Sequence, residues 1–186
     1  MAIQINGNGT ITGISVGGLP DGIVDTDMIA ANAVTPAKST IQGGKIIQFK
    51  QAAASGQHSS ANAGGDGQDV AGMSQSITLT SSSNKVLVMI SCNPYIGGSG
   101  GTGGRYALKL FRDTTMIYED TYLNFRENDG TCKATRSSHV YLDNPADTSS
   151  HTYKVALKKE SGSNTVYLMD EGANAHTITL MEVDVS

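Results

Sequence analysis

Tyr153-Lys154-Val155-Ala156-Leu157-Lys158 alternates apolar and charged side chains along most of its length. In an extended chain successive side chains project to opposite faces, so Tyr153, Val155 and Leu157 share one face and Lys154 and Lys158 the other. Such a segment has one side on a core and one in water. Asp143-Asn144-Pro145 precedes it and Ser161-Gly162-Ser163-Asn164 follows it, and both are rich in residues that favour turns.

The same texture extends in both directions. Within 45–51, Ile47 and Phe49 alternate with Gln48 and Lys50; within 76–80, Ile77 and Leu79 share a face. Residues 86–90 form a continuous apolar run bounded by Asn84 and Asn93-Pro94, as expected of a strand covered on both faces. Tyr106, Leu108 and Leu110 alternate with Ala107, Lys109 and Phe111, and Arg112-Asp113-Thr114-Thr115 reads as a turn into Met116-Ile117-Tyr118. Residues 122–125, 139–142, 166–169 and 177–185 continue the series, while 55–72 is polar and reads as one long exposed loop. No segment after 45 suggests a helix longer than two turns, so the prediction is mainly β: an antiparallel, jelly-roll-like β-sandwich. In the last strand Ile178 and Leu180 have one parity and Met181, Val183 and Val185 the other. Either a bulge near Leu180 or burial on both faces accounts for this, the second option placing Val183 against a neighbouring subunit.

Residues 1–44 are a different material. All ten Tyr and Phe lie between Phe49 and Tyr167, and the boundary falls at Gly43-Gly44. Ile3 and Ile5, then Ile11, flank Asn6-Gly7-Asn8-Gly9, a hairpin signal because Asn and Gly tolerate positive φ. Ile14, Val16 and Leu19 lead to the turn Pro20-Asp21-Gly22. A ten-residue offset then aligns Val24-Asp25-Thr26-Asp27-Met28 with Val34-Thr35-Pro36-Ala37-Lys38, each unit a short helix or turn with one or two apolar anchors. Ordering a residue costs about 1–2 kcal/mol of backbone entropy, which so little apolar surface does not offset. Residues 1–44 are therefore expected to fold by intertwining with identical copies through Ile3, Ile5, Ile11, Ile14, Leu19, Met28 and Val34, leaving 45–186 as the globular domain.

Charge narrows the partners. Net charge is −4, with one Lys against three Asp in 1–44 and twelve Lys and Arg against fourteen Asp and Glu beyond it, so no basic face for nucleic acid is expected. No apolar window approaches the ~20 residues of a membrane helix, and the start lacks a basic region followed by an apolar run; a protein kept in a soluble phase, without membrane insertion, is expected. Cys92 and Cys132 lack CxxC spacing and read as buried thiols. His58, His139, His151 and His176 have no His partner at metal-ligand spacing, so neither metal nor cofactor is expected. Glu119-Asp120 and Asp170-Glu171 are adjacent on strands and point to opposite faces, which does not suit a glycosidase pair. The glycine run 97–104 ends without Gly-Lys-Ser/Thr, and no Gly-X-Ser-X-Gly elbow occurs. No catalytic residue is assigned, and an enzyme is not expected.

Ile5-Asn6-Gly7-Asn8-Gly9-Thr10-Ile11-Thr12-Gly13-Ile14, Gly18-Leu19-Pro20-Asp21-Gly22 and Ala33-Val34-Thr35-Pro36-Ala37-Lys38 resemble the N-terminal segments of tail fibre proteins of tailed bacteriophages, cyanophage-like ones included. Lys85-Val86-Leu87-Val88-Met89, Leu110-Phe111-Arg112-Asp113 and Ile178-Thr179-Leu180-Met181-Glu182-Val183 are similar to the β-sandwich tips of such fibres. The resemblance implies a homotrimer in the virion tail, assembled in the host cytoplasm. It further implies that residues 1–44 dock on tail or baseplate proteins and that the head meets a host surface glycan or outer-membrane protein. The glycine run reads either as a flexible loop between strands or as an adaptable apical loop that touches a ligand through its backbone and the flanking Tyr95, Arg105 and Tyr106. Tyr122, Phe125 and Arg126 in 122–129 offer the aromatic and planar polar groups that sugar binding needs, or else form an ordinary strand and turn with Tyr and Phe inward.

Overall fold

The alternating stretch around Val155 becomes β9 (Ser150–Ser161), with Tyr153, Val155 and Leu157 all at 1 % exposure or less. The computed structural model describes residues 45–61, 64–97, 104–125, 136–162, 164–168 and 176–185. All of them belong to one unit, Gly43–Ser186. The hairpin, the repeat and the anchors Ile3, Ile5, Ile11, Ile14, Leu19, Met28 and Val34 lie outside the described residues.

Eleven strands and no helix form the described part. β1 (Lys45–Ala54), β11 (His176–Asp184), β4 (Lys85–Cys92) and β8 (Ser137–Asp143) make one antiparallel sheet in that order. β3 (Gln68–Thr78), β9, β6 (Gly104–Arg112) and β7 (Thr115–Phe125) make a second. β2 (His58–Ser60), β10 (Thr165–Leu168) and β5 (Pro94–Gly97) form a short third sheet. Only β6 and β7 are joined as neighbours in both sequence and sheet among these pairs, so the sandwich is assembled from long-range pairings. Val86, Val88, Ile90, Ile178 and Leu180 of the first sheet meet Leu108, Leu110, Val155 and Leu157 of the second in one core. Burying each such side chain contributes about 1.5–3 kcal/mol, which is what holds the two layers together.

Three expectations change in detail. The stretch 55–72 is not a single loop: His58–Ser60 pairs with Val166, Tyr167 and Leu168, and β3 begins at Gln68. Backbone pairing needs no apolar side chain, which is why a polar composition hid it. Val70 and Met73 are buried across a register shift between Asp69 and Ser74, and Gly72 sits there at φ +86°. The parity switch in the last strand involves no bulge at Leu180, because its register with β4 runs unbroken from Thr177 to Val183. The irregularity lies instead in β1, between Ile46 and Gln48. The run 86–90 is covered on one side, with Val86, Val88 and Ile90 inside and Met89 40 % exposed.

Two buried carboxylates share one inward row of the first sheet, Gln48–Glu182–Val86–Asp143. Glu182 is wholly buried and accepts hydrogen bonds from Gln48, Thr80 and Asn84, tying the β3–β4 connection to β11. Asp143 accepts from the Tyr153 hydroxyl at 2.6 Å and from Arg112 at 2.8 Å, joining β8 to the opposite sheet.

Candidate functional site

The two large sheets present opposite chemistry to the outside. On the β3-β9-β6-β7 sheet one outward row is Asp69–Ala156–Lys109–Glu119. Lys109 lies 3.5 Å from Glu119 and 3.6 Å from Asp66, Lys154 lies 2.7 Å from Asp69, and Lys158 lies 2.7 Å from Glu160. Charges of alternating sign pair across this face, although Lys109 and Ala156 are themselves buried and Lys109 also donates to the Gly65 carbonyl.

Across the first sheet the outward rows are Phe49–Met181–Leu87–Leu142 and Gln51–Thr179–Met89–Val140. Phe49, Val140 and Leu142 are 55, 59 and 49 % exposed. Val183 faces the same way, half-buried, opposite Ile46 and Lys85. The next row, Thr177–Ser91–Ser138, carries small side chains. Together with Met89, Val140 and Thr179 it lines a depression of about 120 Å³.

The residues read from sequence as ligand contacts are spread over several elements. Tyr95 stands on β5 opposite Tyr167 of β10, the rings stacked at 4.9 Å, and its hydroxyl accepts from Gln57 at 2.7 Å. Arg105 is exposed on β6, whereas the next residue, Tyr106, has the other parity and lies in the core at 2 % exposure. Phe125 ends β7, where its backbone pairs with Gly104, and Tyr122 belongs to the same strand. The side chains of Tyr122 and Phe125, and the whole of Arg126, lie outside the described residues.

Behind Tyr106 is a polar set on the inner side of the seam between β7 and β8. The Ser137 hydroxyl lies 2.6 Å from His139 Nε2 and is also hydrogen-bonded to Tyr106; His139 Nδ1 lies 3.0 Å from Asp120. Burial lowers the His139 pKa, with Asp120 opposing, so the ring is neutral near pH 7. Tyr118 lies 5.4 Å from Tyr141 and 6.3 Å from the His139 ring, completing the seam. The order is that of a nucleophile, a base and an orienting acid. Here each member also bridges strands: Ser137 and His139 from β8, Asp120 from β7, Tyr106 from β6. The pair at i and i+2 on one strand face was visible in the sequence; Asp120 entered only with the fold.

Cys92 is buried and its thiol is pushed up to about 12 by burial, with Arg136 opposing. Cys132 lies outside the described residues. Of the acidic doublets, Glu119 pairs outward with Lys109 and Asp120 inward with His139; Asp170-Glu171 lies outside the described residues. No cluster of metal-ligating side chains occurs among the described residues, and no helix there is long and apolar enough to cross a membrane.

No protein-family model and no curated protein matches the chain. Among solved structures it is similar to dimeric latent PorU from Porphyromonas gingivalis, at TM-score 0.35 and 12 % identity over 78 % of this chain and 14 % of that one. It is also similar to infectious bursal disease virus, Gt strain, at TM-score 0.35 and 11 % identity over 75 % of this chain and 38 % of that one. T=1 particles derived from infectious bursal virus give TM-score 0.34 and 13 % identity over 75 % and 36 % of the two chains. The chain thus spans well under half the length of these proteins, and such likenesses decide nothing about its function.

Proposed function

We propose that this chain is a subunit of a homotrimeric bacteriophage tail fibre, a virion structural protein without catalytic activity. Residues 1–44 attach it to tail or baseplate proteins, and the jelly-roll-like sandwich meets a host surface glycan or outer-membrane protein. One observation carries the reading. The compact unit Gly43–Ser186 opens at the Gly43-Gly44 pair at which the aromatic-free segment ends, so the change in composition coincides with the start of a unit with an aromatic-containing core. The N-terminal phrases supply the fibre resemblance, and a head on a self-winding stem explains why the two parts differ physically.

Multiplicity explains how a modest head suffices. A site with Kd of ~1 mM supplies only about 4 kcal/mol, whereas linked copies raise avidity by ~10²- to 10⁴-fold. Host cells incubated with the purified full chain provide the test. Saturable binding that competes with particle adsorption is the expected result, together with a trimer mass by light scattering. A chain that binds baseplate proteins and leaves host cells untouched is instead a structural adaptor. Release of reducing ends from capsule would overturn the non-catalytic reading.

A further inference from the structure

We infer that the outer face of the β1-β11-β4-β8 sheet is the surface through which copies of this chain pack against one another. The inference rests on the homotrimer proposed above and locates its contact within the head. Four strands spaced ~4.8 Å apart and about 20 Å of outward rows give a patch on the order of 400 Å², before side-chain relief. Monomers rarely expose a contiguous apolar patch above a few hundred Å², and a standard interface takes about 800 Å² from each partner. The exposed Ile47 and Val185 extend it at the rim, so the face is roughly half of what a standard interface takes from one partner.

A second copy is the occupant for three reasons. Within the rows Ile46–Val183–Lys85, Phe49–Met181–Leu87–Leu142 and Gln51–Thr179–Met89–Val140, Lys85 is the single charge. A charged partner finds only Lys85 to pair with there, while another copy offers an equally charge-poor surface, in contrast to the ion-paired sheet behind it. The face also carries a projection and a recess, the exposed Phe49 and the depression of about 120 Å³. A single water takes roughly 10–15 Å³ measured in the same way, so the recess admits a side chain, and a projection seated in the next copy's recess repeats around a closed ring. Finally, residues 1–44 run directly into Lys45, the first residue of β1 at the edge of this sheet.

Two methionines provide an internal control, because Met89 on this face and Met116 on the opposite sheet are 40 and 43 % exposed in a single copy. The full-length assembly is treated with hydrogen peroxide and each sulfoxide followed by peptide mass spectrometry. Met116 is expected to oxidise freely and Met89 at least ~10-fold more slowly. Val140→Glu, at an exposed position that does not touch the core, should bring the Met89 rate to that of Met116. Equal rates in a wild-type particle of trimer mass overturn this inference and leave the fibre reading standing, as does protection of Met89 that survives Val140→Glu. A wild-type monomer overturns both.

Discussion

Replacing Glu182 by Gln tests whether the buried carboxylate holds the β3–β4 connection onto the sandwich. Glu182 is 0 % exposed. Its Oε2 accepts from Gln48 at 2.6 Å, and its Oε1 accepts from Asn84 at 2.6 Å and from the Thr80 amide and hydroxyl at 2.7 Å. Burial alone raises its pKa, but the donors Asn84, Thr80 and Gln48 outweigh burial and take it from 4.5 to about 2. A folded-state value below the unfolded one stabilises the protein above the unfolded pKa, so this contribution is complete above about pH 5 and fades as pH falls towards 2. At about 1.4 kcal/mol per tenfold change in proton affinity, the difference amounts to roughly 3 kcal/mol. Glutamine removes the charge and turns an amide N–H₂ towards groups that themselves donate, so Glu182→Gln is expected to cost about 2–4 kcal/mol at pH 7. Urea unfolding of both proteins from pH 7 to pH 2 measures this. The wild type should lose roughly 3 kcal/mol more than the variant between pH 5 and pH 2. Parallel stability curves, or a cost under about 1 kcal/mol at neutral pH, would refute the reasoning.

Tyr153→Phe removes the hydroxyl that donates to buried Asp143 and should cost about 1–2 kcal/mol in thermal or urea unfolding, with an unchanged fold by circular dichroism. His151 lies between two carboxylates, Asp113 at 2.8 Å and Asp147 at 3.1 Å. The hydrogen bond to Asp113 is the largest cause of its raised pKa, partial burial opposes it, and Asp147 adds to it. The stabilisation is therefore present below pH 6.5 and lost as pH rises through the raised value; an NMR titration should place His151 above 6.5, and Asp113→Asn should bring it down. Gly67 has φ +86°, and a Cβ there would lie 2.7 Å from the Leu157 carbonyl oxygen, so Gly67→Ala should destabilise by about 2 kcal/mol or more, read as a lowered Tm.

The strands legible beforehand were those in which pattern and burial coincide. Tyr153, Val155 and Leu157 alternate with lysines because one face of β9 is core and the other is the ion-paired surface. β2 was missed because His58–Ser60 is held by backbone pairing, which leaves no trace in side-chain polarity. Proximity in sequence groups Tyr106 with Arg105 as ligand contacts, yet adjacent strand residues face opposite ways, and Tyr106 shares the buried face of Leu108 and Leu110 while Arg105 is exposed. Glu182 resembled one more polar residue in a terminal strand; its four donors come from segments about 100 or more residues away.

Composition and period by themselves determined the β class of the described residues and the phase of the main core strands, because these follow from which side chains leave water. Strand order, the two buried carboxylate networks and the contrast between an ion-paired sheet and an apolar one were decided in three dimensions. The physical reason is that period-two alternation sorts residues into two faces without saying what lies opposite either face. Phe49, Met181, Leu87 and Leu142 form one row only because β1, β11, β4 and β8 pair in that order and register.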